Sequence, residues 1–357
     1  MAQAFSRSAY QREGLYKNGY YPNSSFGKSQ KMNFDTFGFK GGLTYKITGR
    51  NFIDFNGIYM TKAPNAREVF SNSRVNNTVT EGITNETIKS VDLGYIIKAP
   101  RFKARFTGYF SETLNATDIN FYYADAVSSS GNGAFVSEAV TVLNKQNRGI
   151  ETGLEYQLTS TFKLTAVAAY GDYRITNNPN VSLTDDASAS VTNYGATQFA
   201  GLKQAGMPQQ AYSFGVEYRD PKFWWMGTNV NYIADNYLDV SSLLRTKNFY
   251  TNVDNATIAI DQSLADSYLK QEKFDSFFLL NLVGGKSWRI NQKTLGLFAI
   301  VNNVLDITYK TGGFEQSRNA TYRQEFEDHQ SGGPSVFGPK YFYGYGRTFM
   351  VNVYLTF

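Results

Sequence analysis

Hydrophobic and polar positions alternate along most of this chain with a period of two. From Phe37 the odd positions read Phe37, Phe39, Gly41, Leu43, Tyr45 and Ile47, and the even ones Gly38, Lys40, Gly42, Thr44 and Lys46. Val91, Leu93, Tyr95 and Ile97 oppose Ser90, Asp92 and Gly94. Phe102, Ala104, Phe106, Gly108 and Phe110 oppose Lys103, Arg105 and Thr107. Ile150, Leu154, Tyr156 and Leu158 oppose Glu151, Gly153 and Glu155, and Tyr212, Phe214, Val216 and Tyr218 oppose Ser213, Gly215, Glu217 and Arg219. Successive side chains of a strand point to opposite faces, so each segment predicts a strand with one oily and one wet face. Between Phe34 and Phe357 about eleven such segments of roughly 10 to 15 residues can be traced.

The connections between them alternate in length. Short ones fall at Thr48-Gly49-Arg50, Ala99-Pro100-Arg101, Thr159-Ser160-Thr161, Asp220-Pro221-Lys222 and around Arg289 to Lys293. Long polar stretches cover roughly 61–86, 113–147, 175–208, 236–274 and 306–340. Aromatics are ordered by height: Tyr45, Tyr95, Tyr156 and Tyr218 precede a short turn on the oily face, and Phe102, Phe162 and Trp224 follow one. Tyr59, Phe110, Tyr170 and Tyr232 mark the other end. Two aromatic belts, with short turns at one rim and long loops at the other, predict an all-β antiparallel transmembrane barrel of a bacterial outer membrane. A soluble sandwich also alternates, but it has no reason to order aromatics by height.

Composition supports strands: Tyr and Phe number 26 and 28, Pro 8 and Cys 0 in 357 residues. No apolar run approaches the ~20 residues of a membrane helix. A net charge of +5, without a dense basic block, gives no footprint for nucleic acid. Arg7, Ser8, Tyr10, Gln11 and Arg12 occupy the place of an apolar leader core, so either another segment carries the export signal or the protein stays inside.

Eleven is odd, whereas bacterial single-chain barrels use even numbers. The strands near 34–47 and 341–357 would leave unpaired edges, and in hydrocarbon each unsatisfied backbone group costs on the order of several kcal/mol. With the last strand ending on the periplasmic side, counting back makes the first run downward from an outer loop. Residues 1–33 are therefore expected to be the remnant of an extracellular loop, residues 34–357 to be barrel strands, and the chain to begin in mid-barrel.

Several stretches resemble the TonB-dependent outer-membrane receptors: Thr61-Lys62-Ala63-Pro64 with Glu68-Val69-Phe70, Asn147-Arg148-Gly149-Ile150-Glu151, Val301-Asn302-Asn303-Val304-Leu305-Asp306-Ile307-Thr308-Tyr309, and Gly344-Tyr345-Gly346-Arg347 before Phe349, Val351, Val353, Leu355 and Phe357. The resemblance spans nearly the whole chain. It implies a barrel of twenty-two strands around a plug domain, with these residues as strands 12 to 22. It further implies nutrient uptake, with an N-terminal barrel half, the plug, TonB, outer-membrane lipids and an imported small molecule, sugar or peptide as partners. Two other readings stay open: a passive porin-like channel, built for instance from two copies, and a soluble lectin or adhesin.

Candidate chemistry is sparse, and neither an enzyme nor a bound cofactor or metal is expected. His329, the single histidine, lies among Glu325, Glu327, Asp328 and Gln330 in a long loop; a hydrolytic or hard-cation site there competes with a solvated loop, as it does at Asp185-Asp186. The resemblance makes Phe357, on the lipid face, part of a barrel-assembly signal. Lys40, Asp54, Asp92, Lys103, Arg105, Glu151, Glu155, Glu217 and Arg219 face the lumen, as plug contacts or as a hydrated wall. Tyr122, Tyr123, Tyr237, Phe249 and Tyr250 are loop aromatics suited to stacking on cargo.

Overall fold

The structure is a computed structural model that describes residues 2–9, 29–124, 133–250, 259–318, 320–332 and 335–357. Its wall is one antiparallel sheet. In chain order the wall strands are β1 (Ala2–Ala9), β2 (Met32–Lys46), β3 (Asn51–Lys62), β4 (Glu86–Lys98), β5 (Phe102–Ala124), β6 (Ala134–Gln157) and β7 (Phe162–Ile175). A hairpin, β8 (Asn180–Asp185) and β9 (Val191–Ala196), then branches off, with β8 paired to the upper part of β6. The wall resumes with β10 (Gln210–Arg219), β11 (Trp224–Ala234), β12 (Phe277–Ile290) and β13 (Lys293–Asn302). After the separate ribbon β14 (Lys310–Phe314) and β15 (Lys340–Tyr343), β16 (Thr348–Thr356) closes the run. From β2 to β16 the wall holds eleven strands, each beside its neighbour in sequence, as the alternation predicts. Among the described residues the outer sides of β1 and β16 have no strand partner, so the wall is open.

One expectation is corrected at the first edge. Ala2–Ala9, placed in a loop from sequence, is a strand whose register runs from Ala2 opposite Phe39 to Ala9 opposite Met32. Its Ala, Ser and Arg residues carry too little apolar alternation to announce it. The remainder of that loop, Met1 and residues 10–28, lies outside the described residues, as do 125–132, 251–258, 319, 333 and 334 in the later loops.

Packing is inverted relative to a water-soluble protein. Lipid-facing side chains are bare, with Leu43 and Ile150 at 69% and 64% exposure. The belts are continuous across strands: Tyr218 lies 4.7 Å from Phe162 and 4.9 Å from Trp224 at the short-turn rim. At the other rim Phe37 stacks on Tyr59, and Tyr232 packs between Tyr212 and Phe278. The short turns are tied by their own side chains, with Thr48, Thr159 and Asp220 each accepting a backbone N–H two residues on. Phe357 is 85% exposed, with the Lys293 ammonium 4.7 Å from its ring centre.

Fully buried side chains gather instead in the long loops. The stretches read as loops are built: β5 and β6 run on for 23 and 24 residues, about twice what a bilayer crossing needs. One bulge on each strand, near Asn115 and Val142, both with positive φ, keeps the pairing in register while exchanging the faces above it. Two of the family-like stretches act as stitches. Asn65 and Glu68 form a capping box on α1 (Ala66–Val69), seating Val69 and Phe70 against Phe34. Asn303 bonds the Ile307 and Tyr345 carbonyls, and Asp306 accepts the Arg347 N–H, fastening the end of β13 to the approach of β16.

Gly149 and Gly108 separate a required glycine from a permitted one. A Cβ on Gly149 would lie 2.5 Å from the Tyr170 carbonyl oxygen and 2.9 Å from Gly171 Cα, whereas nothing lies within 4 Å at Gly108. Gly149→Val is expected to cost about 1–3 kcal/mol and lower the folded fraction, while Gly108→Ala leaves it unchanged, read by heat-modifiable migration of the barrel on gels. Equal behaviour of the two variants contradicts the close approach of β6 and β7.

Candidate functional site

Above the upper aromatic belt the extended strands and the loops enclose a cavity of about 940 Å³. Because the paired bulges exchange faces, Asp118, Asn120 and Tyr122 of β5 and Glu138 and Val140 of β6 turn inward there. The opposite wall comes from the stretch after β11 and the stretch after β14: Asp239, Ser241 and Ser242, then Glu315 to Arg318.

Glu138 is the hub of this bowl. It is 3% exposed and accepts from Asn120 Nδ2 at 3.1 Å, from the Tyr122 hydroxyl at 2.8 Å and from the Ser242 hydroxyl. Burial and the neighbouring Glu138 carboxylate push the Tyr122 phenol well above its ordinary range, so it stays a donor. Burial, with Asp118 and Glu315 nearby, likewise raises Asp239. Lys145 pairs with Asp118 at 3.2 Å. Carboxylates, hydroxyls, amides and aromatic edges mixed in this way can hold a polar guest by hydrogen bonds and stacking.

The roof is clamped by Arg245, 3% exposed, in the 3-10 turn Leu243–Arg245. Its guanidinium meets Glu315 at 2.5 and 2.9 Å and also donates to the Ser241 and Leu269 carbonyls. Such a paired buried charge is costly to break, because removing one partner leaves the other stranded. Arg245, Glu315, Glu138 and Ser242 were not found from sequence; partners about 70 to 100 residues apart leave no local pattern.

The five loop aromatics do not converge. Tyr122 and Tyr123 both border the bowl, the latter beneath the Arg318 guanidinium at 5.0 Å and edge-on to Phe135. Tyr237 borders a different cavity on the outer side. Phe249 corrects the expectation of a cargo platform: it is fully buried, edge-on to Tyr250 and Tyr322, and forms the core under α2 (Gln262–Tyr268) and α3 (Tyr322–Gln330). Tyr250 packs against that same core. On the lumen wall the charges largely satisfy one another: across strands Lys103 pairs with Glu155 at 2.7 Å, Arg105 with Asp54 at 3.0 Å and Lys163 with Glu217 at 3.5 Å, and along β10 Arg219 meets Glu217 at 2.6 Å. Asp92 accepts from Asn56 at 3.0 Å, and Lys40 and Glu151 stand on the same face by register.

A family model described as TonB dependent receptor-like, beta-barrel, matches residues 8–304. The chain belongs to that family. As a TonB-dependent receptor barrel it is a bacterial outer-membrane protein. Among solved structures it is similar to the siderophore receptor PiuA from Acinetobacter baumannii, at 14% identity and TM-score 0.53, covering 94% of this chain and 38% of that one. The FrpB iron transporter from Neisseria meningitidis gives 13% and 0.52, covering 93% and 40%. The copper transporter OprC gives 17% and 0.51, also covering 93% and 40%. Identities this low show the fold alone, and the chain spans about two fifths of the length of those receptors. No curated protein matches the sequence.

In this receptor barrel His329 lies at the exposed edge of the loop core. It stacks on Tyr268 at 4.4 Å, and its Nδ1 lies 2.7 Å from the Glu325 carbonyl. Among the described residues no group of three or more acidic, His or Cys side chains is placed to hold a metal. Asp186 pairs with Arg74 at 2.6 Å and Asp185 caps the β8–β9 turn, so both are tied into loop structure. Glu325 is held up at about 7 by burial, with Asp328 and Glu315 adding repulsion. A carboxyl raised in the fold supports folding below its ordinary value of 4.5 and loses that support as pH rises through about 7. Amide exchange across Tyr322–Gln330, corrected for intrinsic rates, is therefore expected to quicken between pH 6 and 8 in the native receptor and to stay level in Glu325→Gln; a pH response surviving that substitution contradicts the assignment.

Proposed function

We propose that this receptor barrel serves energised uptake of a nutrient across the outer membrane, with β2 to β16 as its C-terminal eleven strands. The remaining strands, the plug and the TonB-engaging segment belong to receptor sequence outside these residues. The observation that carries this reading is the open wall: a membrane-crossing sheet with lipid-facing side chains and two unpaired edges, β1 and β16, needs further strands to satisfy its backbone. The family match and the two-fifths coverage of solved receptors support it.

Within this reading the bowl is the outer antechamber for cargo, with Tyr122 and Tyr123 as contact residues. Its near balance of acids and bases favours a polar small molecule, sugar or peptide over a densely charged one. Lys40, Asp54, Lys103, Arg105, Glu151, Glu155, Glu217 and Arg219 form the wall against which the plug rests, and the exposed Lys103–Glu155 pair can open toward it at little cost. Phe357 serves as the terminal assembly signal on the lipid face.

Planar-bilayer recording tests the reading. The receptor purified from outer membranes is expected to show no steady conductance, and deletion of its plug to open a persistent one. Steady conductance by the intact receptor, unaffected by plug deletion, overturns uptake by a plugged barrel in favour of a passive channel.

A further inference from the structure

Outside the bowl, on the bilayer side of the wall, two cavities adjoin and share Gly108, Ile150 and Tyr170. The one nearer mid-membrane, about 760 Å³, is an apolar groove. Register explains it. In one row across the wall, Phe106, Thr152, Ala168 and Tyr212 stand side by side, and in the next Leu93, Gly108, Ile150 and Tyr170 do so. Small residues at Gly108, Thr152 and Ala168 make a floor, and the aromatic rings on either flank make walls.

The second cavity, about 690 Å³, lies directly on the loop side of the belt. Here Phe110, Arg148 and Asp172 share a row, one step beyond Tyr170. Asp172 is ringed by three cations: Arg148 at 3.0 and 3.2 Å, Lys203 at 2.5 Å, and Arg174. Beside them Asp235 pairs with Lys273 and accepts from Gln210, which in turn accepts from the Tyr212 hydroxyl of the groove wall. Four cations thus face two carboxylates, an excess of two positive charges, and Arg174 Nε is buried without an acceptor. The cluster remains open to solvent, since the Arg148 and Lys273 side chains are each about half exposed.

A donor-rich cationic patch at headgroup height over an apolar groove at acyl-chain height matches one amphiphile. We propose that this column docks a phosphorylated lipid of the outer leaflet, its phosphate on Arg148, Arg174 and Lys203 and one acyl chain over Gly108 and Ala168. Charge complementarity selects the head: phosphate oxygens accept from guanidinium and ammonium donors together, replacing the carboxylate the cluster lacks. The groove selects a lipid over free phosphate, because the excess charge sits one residue row beyond the Ile150 and Tyr170 end of the apolar groove. The site faces away from the bowl, so it is separate from cargo uptake.

Native mass spectrometry of the receptor, purified and delipidated in mild detergent, tests this with a bis-phosphorylated, acylated glucosamine lipid as probe and its dephosphorylated counterpart as control. The phosphorylated probe is expected to bind about ten-fold more tightly than the control. Arg148→Gln with Lys203→Gln is expected to remove that preference, and Gly108→Leu, which fills the groove without touching a charge, to lower retention while folding is preserved. Millimolar inorganic phosphate is expected to leave the adduct in place. Equal binding of both lipids, unchanged retention in both variants, or displacement by inorganic phosphate overturns the proposal, the last by reducing the site to a headgroup-independent anion patch.

Discussion

Lateral hydrogen bonding of backbone in a medium without water is the constraint on which this structure depends. In hydrocarbon a strand can satisfy its N–H and C=O groups only through its neighbours, so the wall must run on until it meets itself. The regular antiparallel order from β2 to β16, the Gly149 approach to β7 and the tight rim turns all follow from that need. The larger ring proposed for this barrel answers the same need, because among the described residues the twelve-stranded wall from β1 to β16 has no strand partner at either edge.

The same solvent reverses where the core lies. Leu43, Phe106 and Phe214 stay bare because lipid covers them, and they contribute little to holding strands together. Among the described residues the buried apolar clusters gather where water returns, above the belts. There Phe249 and Tyr322, or Val136 and Leu183, hold the loops as a conventional interior would. Buried polar ties complete it: Arg245 with Glu315, and Glu138 with Tyr122 and Ser242. The cap is thus a compact body carried on a membrane wall, and its shape fixes the bowl.

Legibility in the sequence followed the same division. The strands were readable because each has one lipid face and one wet face, so their period of two is imposed residue by residue. Phe37 to Ile47 and Phe102 to Phe110 display it without help from any distant partner. Strand Ala2–Ala9 escaped because its small and polar residues carry no such contrast. The loop stretches escaped for a different reason. The faces of β5 and β6 exchange at Asn115 and Val142, where non-glycine residues with positive φ give no composition signal, so the extended strands beyond lose continuity of pattern. Phe249 looked like an exposed platform because a core assembled from segments some 70 residues apart is invisible to local reading.

A cryo-electron microscopy structure of the receptor purified from the outer membrane tests the central claim most directly. The account predicts twenty-two strands, with the free side of β16 hydrogen-bonded to a strand from outside these residues. A closed barrel in which β16 pairs with Ala2–Ala9 of the same chain, or with a second copy, would contradict it.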